Sequence, residues 1–249
     1  NKREVKNLLI SLPSFEDQRA ISEITTKIEN SLHALEDIKD SLSHNPISSE
    51  KEREKLDAIT NAISDMSPLL REESIIHEFK ASLRTPYPDP PEVQVNKDGK
   101  QEYKLGTLSF SSMKQVRSYL EKIVLKCIAS FLNTKGGTLV IGVHEFGNIK
   151  KVVGVEREGF KSLDHYERHL IQLVNNAFGK VVVSKYVSTK MNQIDGHTVC
   201  VVTLDQYLGD DLVYLDDRVY VRTGPRVDEL TIRQVVELIK QRKPSEEGI

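Results

Sequence analysis

A glycine pair followed by a short apolar run constrains the fold of this chain more than any other part of its sequence. Gly136 and Gly137 come directly after a helical pattern, and residues 138–143 read TLVIGV, a run with the length of a buried strand. Glycine commonly ends a helix because it adopts backbone angles that other residues avoid. Since the pair follows a helix and precedes a strand, it differs from phosphate-binding loops, which open a helix. The segment predicts an α/β domain.

Size and composition allow one main domain and one appendage. The chain has 249 residues, of which 38% are hydrophobic and 29% charged. No apolar stretch approaches the ~20 residues of a membrane-spanning helix, and no signal-like segment follows Asn1, so we expect a soluble fragment of a longer protein. Cys127 and Cys200 fall inside apolar helix and strand patterns, which favours core packing over a disulfide or a zinc site and predicts a reducing cytoplasm.

Charge is distributed unevenly along the chain, although the net charge is only −2. Residues 1–73 contain 10 basic and 15 acidic side chains, whereas residues 100–161 contain 11 basic and 5 acidic ones. A basic region beside carboxylates suits a polyanion that is held through its phosphates. An ordinary solvated surface would give the same count.

The first 70 residues predict an α-helical hairpin or coiled coil. Ser14 is a helix N-cap, and an apolar stripe recurs every three or four residues over 21–42. Ser49 and Glu52 have the spacing of a capping box and begin a second helix. The start of the segment resembles the conserved helix of type I restriction specificity subunits, through Leu12, Pro13, Glu16, Gln18, Arg19 and Ile21. This resemblance implies an upstream sensor or specificity module joined by a coiled-coil spacer, whereas a generic amphipathic helix is the alternative.

From about residue 71 onward the pattern becomes mixed α/β. It predicts a strand over 74–83, a loop or small hairpin over 86–106, a helix over 112–132, and a hairpin formed by GTLVIGV and IKKVVGVE. A helix over 163–177 precedes two strands, VVVSKYVSTKM and HTVCVVTLD, joined by Asp195-Gly196. LVYL and RVYVRTG are further strands, and a closing helix from Thr231 buries Val235, Val236 and Ile239. We therefore predict an α+β mixed-sheet domain over 71–249.

Three glutamates are candidate catalytic residues and metal ligands. Glu145 follows the central strand, and Glu73 and Glu78 lie five residues apart ahead of it. At that separation they cannot share one face of a strand or helix, so Glu73 must sit on a turn or helix end before a strand that carries Glu78. Carboxylates that hold Mg²⁺ or Mn²⁺ neutralise the charge that develops when a phosphodiester is cleaved. Lys80 points to the same face as Glu78 and is suited to stabilising that charge.

Several blocks in the correct order resemble the Schlafen-type AlbA domain over residues 71–242. They are Glu73, Glu78-Phe79-Lys80, Ala129-x-Phe131-x-Asn133-Thr134-x-Gly136-Gly137, Ile141-Gly142-Val143, and Val219-Tyr220-Val221-Arg222-Thr223-Gly224. The resemblance implies an α/β core in which the helix ending at the glycine pair packs on a small mixed sheet. Animal Schlafens include endoribonucleases with three acidic residues, to which Glu73, Glu78 and Glu145 correspond. The third is aspartate in those enzymes, and their zinc ligands have no counterpart here.

The resemblance implies a metal-dependent endoribonuclease that cleaves tRNA or other structured RNA in bacterial antiphage defence. Animal Schlafens form a groove from two related lobes and this chain has one such domain, so we expect a homodimer. The candidate nucleic-acid-binding residues are Lys135, Lys150, Lys151, Arg218 and Arg222. The alternatives are a non-catalytic module that binds nucleic acid or a nucleotide, and a structural piece of a restriction-like complex.

Overall fold

The computed structural model describes residues 73–242, except 89, 147 and 148, together with helical positions scattered between 22 and 39. The chain divides into two compact units, residues 1–64 and 65–249. The described positions of the first unit are helical, as the apolar stripe predicts, and the remainder of the predicted hairpin lies outside the described residues. Within the described part, no helix has the length and apolar character needed to cross a membrane.

The second unit combines strands and helices in the mixed order that the sequence predicts. Its strands are β1 His77–Lys80, β2 Glu92–Val95, β3 Gln101–Leu105, β4 Leu108–Phe110, β5 Gly137–Ile141, β6 Val143–Phe146, β7 Ile149–Val152, β8 Val187–Ile194, β9 His197–Leu204, β10 Tyr214–Leu215, β11 Arg218–Thr223 and β12 Arg226–Glu229. Its helices are α1 Met113–Asn133, α2 Leu163–Phe178, α3 Lys180–Tyr186 and α4 Ile232–Arg242, with a 3₁₀ turn at Glu156–Glu158.

A four-stranded mixed sheet in the order β1-β5-β9-β8 forms the centre of the unit. β1 runs parallel to β5, which places Glu78 opposite Leu139, and the other neighbouring pairs are antiparallel. Strands β2-β3-β4 and β10-β11-β12 form two three-stranded sheets, and β6 pairs with β7. The mixed sheet confirms the predicted fold class. β1 is an edge strand, so one side of its backbone has no strand neighbour.

Helix α1 supplies much of the hydrophobic core. Ser112 caps its N-terminus by accepting a hydrogen bond from the Gln115 N–H, as its position before an apolar pattern favours. The second half of the helix is buried, and Ile128 and Phe131 belong to the same cluster as Leu139 of β5. A smaller apolar cluster, which consists of Phe79, Val140, Val143, Ile194, Val199 and Val201, covers a second region of the sheet.

The glycine pair serves close packing, as its place between a helix and a strand predicts. Gly136 and Gly137 have φ values of 68° and 149°, which side-chain-bearing residues rarely adopt. A Cβ atom on Gly137 would lie 2.5 Å from the Ile76 carbonyl oxygen and 2.6 Å from Cε1 of Phe131. Only glycine therefore lets α1, β5 and the residues before β1 approach one another so closely.

Two sequence predictions about hairpins are confirmed. Asp195 and Gly196 have positive φ values and connect β8 to β9 as a tight hairpin. The stretch over 86–106 contains the β2–β3 hairpin, which β4 extends to a three-stranded sheet. This small sheet contacts α1 through the Phe110 and Tyr119 rings, whose centroids are 5.3 Å apart.

The prediction of a strand across residues 181–191 is wrong in its first half. Residues 180–186 form α3, and the strand β8 begins only at Val187. Val183 and Tyr186, three residues apart, are both buried, so helical spacing puts two large side chains into the core. Tertiary packing here outweighs the strand preference of a run of valines.

Helix α4 is less buried than predicted. Val235 and Ile239 are half-buried, but Val236 is 46% exposed and no residue of the helix is fully buried. Its C-terminal residue, Arg242, donates hydrogen bonds to the carbonyl oxygens of Asn133, Tyr207 and Asp211. Hydrogen bonds therefore anchor the C-terminal end of the helix, whose other residues are at most half-buried.

Candidate functional site

Strand β1 presents two of the predicted site residues on one face at the edge of the central sheet. Glu78 and Lys80 are two residues apart, and the Lys80 ammonium donates to Oε1 of Glu78, which confirms the predicted shared face. Lys80 Nζ also donates to the Phe79 carbonyl oxygen at 3.1 Å. Burial opposes the charge of Lys80, but the neighbouring Cys127 thiol and Glu78 carboxylate raise its pKa above the usual value. Lys80 is therefore a charged group at neutral pH.

Arg222 forms the second cationic contact of Glu78. Its side chain is fully buried, and Nη2 lies 2.8 Å from Oε2 of Glu78. The two groups form an ion pair, but the angles of the contact are not those of a hydrogen bond. The guanidinium carbon is 4.4 Å from the centroid of the Phe131 ring. The same Nη2 donates to the carbonyl oxygens of Ser74 (2.7 Å), His77 (3.3 Å) and Pro225 (3.1 Å). Arg222 thus joins β11 to the segment that carries Glu78.

Glu73 lies on the bend before β1, where the five-residue spacing predicts it. Its Oε1 accepts a hydrogen bond of 3.4 Å from the Phe79 N–H, a donor on the unpaired edge of β1. Burial, followed by the negative charges of Glu78 and Glu145, raises the pKa of Glu73 from 4.5 to about 7. The three predicted carboxylates therefore lie within electrostatic range of one another.

Glu145 reaches this region from the β6–β7 hairpin. It is opposite Lys150 in the strand register, and Lys150 Nζ lies 3.6 Å from Oε1 of Glu145. The same ammonium is 4.8 Å from the centroid of the Phe79 ring. Because Glu145 is 22% exposed and Glu78 only 6%, Glu145 is the more accessible of these two carboxylates.

The donor chemistry of this region fits a divalent metal. Burial and the negative charges of Glu78 and Glu145 raise the pKa of Glu73, and Glu78 Oε2 is buried without a hydrogen bond. The three carboxylates do not form a metal-ligand arrangement in this structure. Among the residues that the structure describes, no group of three His, Cys, Asp or Glu side chains is arranged to hold a metal. Lys80 and Arg222 neutralise Glu78, and Lys150 neutralises Glu145. A metal ion would compete with these cations.

Three of the predicted nucleic-acid-binding residues are on the surface. Lys135 is exposed in the turn between α1 and β5, and Lys151 is exposed on β7. Arg218 is also exposed, but it donates two hydrogen bonds to Glu229, 3.1 and 3.0 Å long. Both of these bonds would have to break before Arg218 could bind a phosphate. All three side chains are therefore exposed to solvent.

The other two predicted binding residues are placed differently. Arg222 is 3% exposed and points to Glu78, so its assignment to phosphate binding is corrected to a role in holding that carboxylate. Lys150 is largely covered and paired with Glu145. Both side chains lie among carboxylates because an isolated charge in these buried positions would be costly.

A loop after β1 adds residues that sequence reasoning missed. The buried Glu158 carboxylate accepts hydrogen bonds from the N–H groups of Leu83 and Arg84. Arg157 donates to the Pro86 carbonyl at 3.0 Å, and its guanidinium carbon lies 4.6 Å from the centroid of the Tyr87 ring. These contacts hold residues 83–87 across a long sequence separation, and no local pattern marks them.

Tyr87 of this loop contacts His144, the residue that precedes Glu145 in the sequence. The Tyr87 and His144 rings meet edge to face, with centroids 4.8 Å apart. Burial and the charge of Lys151 lower the pKa of His144, so its neutral form predominates at neutral pH. His144 is thus a neutral imidazole packed against Tyr87.

Comparisons with known proteins bear on the family of this chain. The family model described as Schlafen, AlbA_2 matches residues 97–231, a range that includes Glu145 and Arg222, whereas Glu73, Glu78 and Lys80 precede it. The search of curated proteins finds no match.

Two solved structures show partial similarity. The DIP2311 protein from Corynebacterium diphtheriae is 14% identical, with a TM-score of 0.43 over 76% of this chain and 33% of that one, so this chain spans about a third of its length. The N-terminal domain of a RecG-related protein from Nitrosomonas europaea is 17% identical, with a TM-score of 0.34 over 59% of this chain and 73% of that one. Since the family model covers more than half of the sequence, the chain belongs to the Schlafen, AlbA_2 family.

Proposed function

We propose that this chain is a metal-dependent endonuclease that cleaves RNA, with tRNA or another structured RNA as substrate. The observation that carries the proposal is the group of three carboxylates beside Lys80, in which Glu73 has a pKa of about 7. Glu73, Glu78 and Glu145 would hold Mg²⁺ or Mn²⁺. When bound there, the metal supplies charge neutralisation at the phosphoryl oxygens.

The side chains of the site have separate roles in this proposal. Glu73 has a pKa of about 7, so a metal ion would have to displace a proton from its carboxyl group at neutral pH, and metal binding would tighten as the pH rises. Lys80 remains charged and lies at the open edge of β1, where it can stabilise negative charge on a phosphate. Arg222 is a positioning residue, since it is buried and acts on Glu78.

Cleavage of tRNA in the presence of Mn²⁺ tests the proposal. We compare the unchanged chain with Glu145→Gln, which removes a carboxylate that is more accessible than Glu78 without stranding the buried Arg222. Cleavage should fall by at least about 100-fold, the upper range for loss of a group that merely supports a metal ligand. Glu92→Gln, on the exposed face of β2, is the matched control and should cleave normally. Equal cleavage by both variants would refute the catalytic assignment.

A second candidate function is a non-catalytic module that binds nucleic acid. The observation in its favour is that Lys80 and Arg222 already neutralise Glu78. Binding that weakens with salt, without any metal-dependent cleavage, would support this alternative.

The wider setting of the protein is also a proposal. A homodimer would supply the second lobe of a substrate groove, and an upstream sensor or specificity module would control cleavage during bacterial antiphage defence. Sedimentation velocity across a concentration series tests the homodimer, which predicts a concentration-dependent shift to twice the monomer mass.

A further inference from the structure

A cleft lies between helix α4 and the body of the second unit, apart from the carboxylates. Its volume is about 560 Å³, within the range of sites that hold small molecules. The helix contributes Gln234, Glu237, Leu238, Gln241 and Arg242, and the body contributes Asn133, Thr134, Lys135, Gln206 and Val221.

Hydrogen bonds are present at both ends of α4, the helix that forms one side of the cleft. At its start, the Leu230 N–H donates to the Val219 carbonyl, and the Thr231 N–H donates to the Gln234 side chain. At its end, Arg242 Nη2 donates to the Asn133 carbonyl at 2.7 Å. Hydrogen bonds to the body of the unit thus lie at both ends of the cleft-lining helix, from Leu230 and from Arg242.

Some polar groups of the cleft already make hydrogen bonds within the protein, and others are available to a ligand. The Thr134 hydroxyl donates to the Ser130 carbonyl and accepts from the Arg222 N–H, so it is occupied. Within the described part of the chain, the side chains of Gln206, Gln241 and Lys135 make no hydrogen bond or ion pair. A ligand thus meets two side-chain amides and one ammonium group, together with the Glu237 carboxylate, which is paired with Arg233.

These groups match the chemistry of a single nucleotide. A side-chain amide offers a donor and an acceptor, which suits the hydrogen-bonding edge of a base. Val221 and Leu238 provide apolar surface for the faces of the ring, and Lys135 provides a cation for the phosphate. Lys135 is also one of the residues that the sequence predicts to bind nucleic acid.

The cleft and the carboxylate site lie on opposite sides of β11. Val221 lines the cleft, and the next residue, Arg222, points to Glu78. Successive side chains of a strand face opposite sides. We infer that the cleft binds an unpaired nucleotide of the RNA substrate. This inference rests on the proposed function for the identity of the ligand.

Binding of short RNA measures the contribution of the cleft. The probes are fluorescently labelled single-stranded ribo-octamers of each of the four bases, mixed with the full chain in EDTA so that no metal-dependent cleavage occurs. Leu238→Trp fills the cleft and should weaken binding of at least one octamer about tenfold, the equivalent of ~1.4 kcal/mol. Gln241→Ala should weaken the same octamer.

The matched control lies on the outer side of the same helix. Ile232 is 86% exposed and does not line the cleft, so Ile232→Trp should bind every octamer as the unchanged chain does. Circular dichroism of each variant checks that α4 remains folded. Equal affinities of folded Leu238→Trp, Gln241→Ala and Ile232→Trp would overturn the inference.

The outcome is separable from that of the proposed function. If cleavage of tRNA requires Glu145 but Leu238→Trp leaves octamer affinity unchanged, the cleft inference fails and the nuclease proposal stands. If Leu238→Trp weakens binding while the unchanged chain never cleaves RNA, the cleft inference stands for a binding module and the nuclease proposal fails.

Discussion

The buried contact between Arg222 and Glu78 leads to a quantitative prediction about stability. Arg222→Met keeps an unbranched side chain against Phe131 but removes the charge next to Glu78 and the hydrogen bonds to three carbonyl oxygens. Removing one partner of a buried pair costs about 3–5 kcal/mol. Lys80 still contacts Glu78, so we expect the lower part of this range, about 3 kcal/mol.

Urea unfolding followed by tyrosine fluorescence measures this loss in the second unit alone. All eight tyrosines lie beyond residue 64 and the chain has no tryptophan, so the signal does not report on the first unit. With a slope of roughly 2 kcal/mol per molar urea, the midpoint should fall by about 1.5 M. Arg218→Met, which breaks an exposed pair on the same strand, should leave the midpoint nearly unchanged.

A double-mutant cycle distinguishes the ion pair from the other contacts of Arg222. If the pair matters, Glu78→Gln and Arg222→Met together should cost less than the sum of the single changes by about 1 kcal/mol or more. A loss below about 1 kcal/mol for Arg222→Met, or strict additivity in the cycle, would refute the reasoning.

Four further predictions concern the carboxylates and the glycine pair. Glu145→Gln should lower the pKa of Glu73 from about 7, since it removes one negative neighbour, and carboxyl ¹³C shifts in a pH titration measure this; an unchanged pKa would contradict the proximity of the two residues. Because folding raises this pKa, protonated Glu73 contributes stability that is complete below pH 4.5 and is lost as the pH rises through about 7. Urea midpoints of the unchanged chain should fall over this pH range, and those of Glu73→Gln should lack this fall. Glu145→Asp should retain Mn²⁺-dependent RNA cleavage that EDTA abolishes; cleavage in EDTA would exclude a metal requirement. Gly137→Ala should destabilise the second unit more than Gly99→Ala, because a Cβ collides with the Ile76 carbonyl only at Gly137; equal melting temperatures would contradict this.

The parts of the site that sequence predicts are those with a local pattern. The two-residue period of a strand places Lys80 beside Glu78, and the five-residue separation puts Glu73 on the preceding bend. The strand that precedes Glu145 follows from its apolar run. The mixed sheet follows from the order of such elements.

The parts that sequence does not predict depend on distant contacts. Arg222 alternates with apolar residues on β11 and has a charged side chain, so it is expected at the surface, yet its partner Glu78 lies far away in the sequence. Residues 180–186 form a helix because Val183 and Tyr186 reach the core, which no propensity for valine reveals. The loop held by Glu158 has the same kind of cause.

The unpaired side of β1 has a consequence for association between molecules. An edge strand offers free N–H and C=O groups to which a strand of another chain can add. Here the Phe79 N–H is bound by the Glu73 carboxylate and the Phe79 carbonyl by the Lys80 ammonium, so two charged side chains occupy the positions that an incoming strand would need. The residues that we assign to chemistry thus also protect the protein against edge-to-edge aggregation, and neutral substitutions at these two positions would favour self-association as well as inactivity.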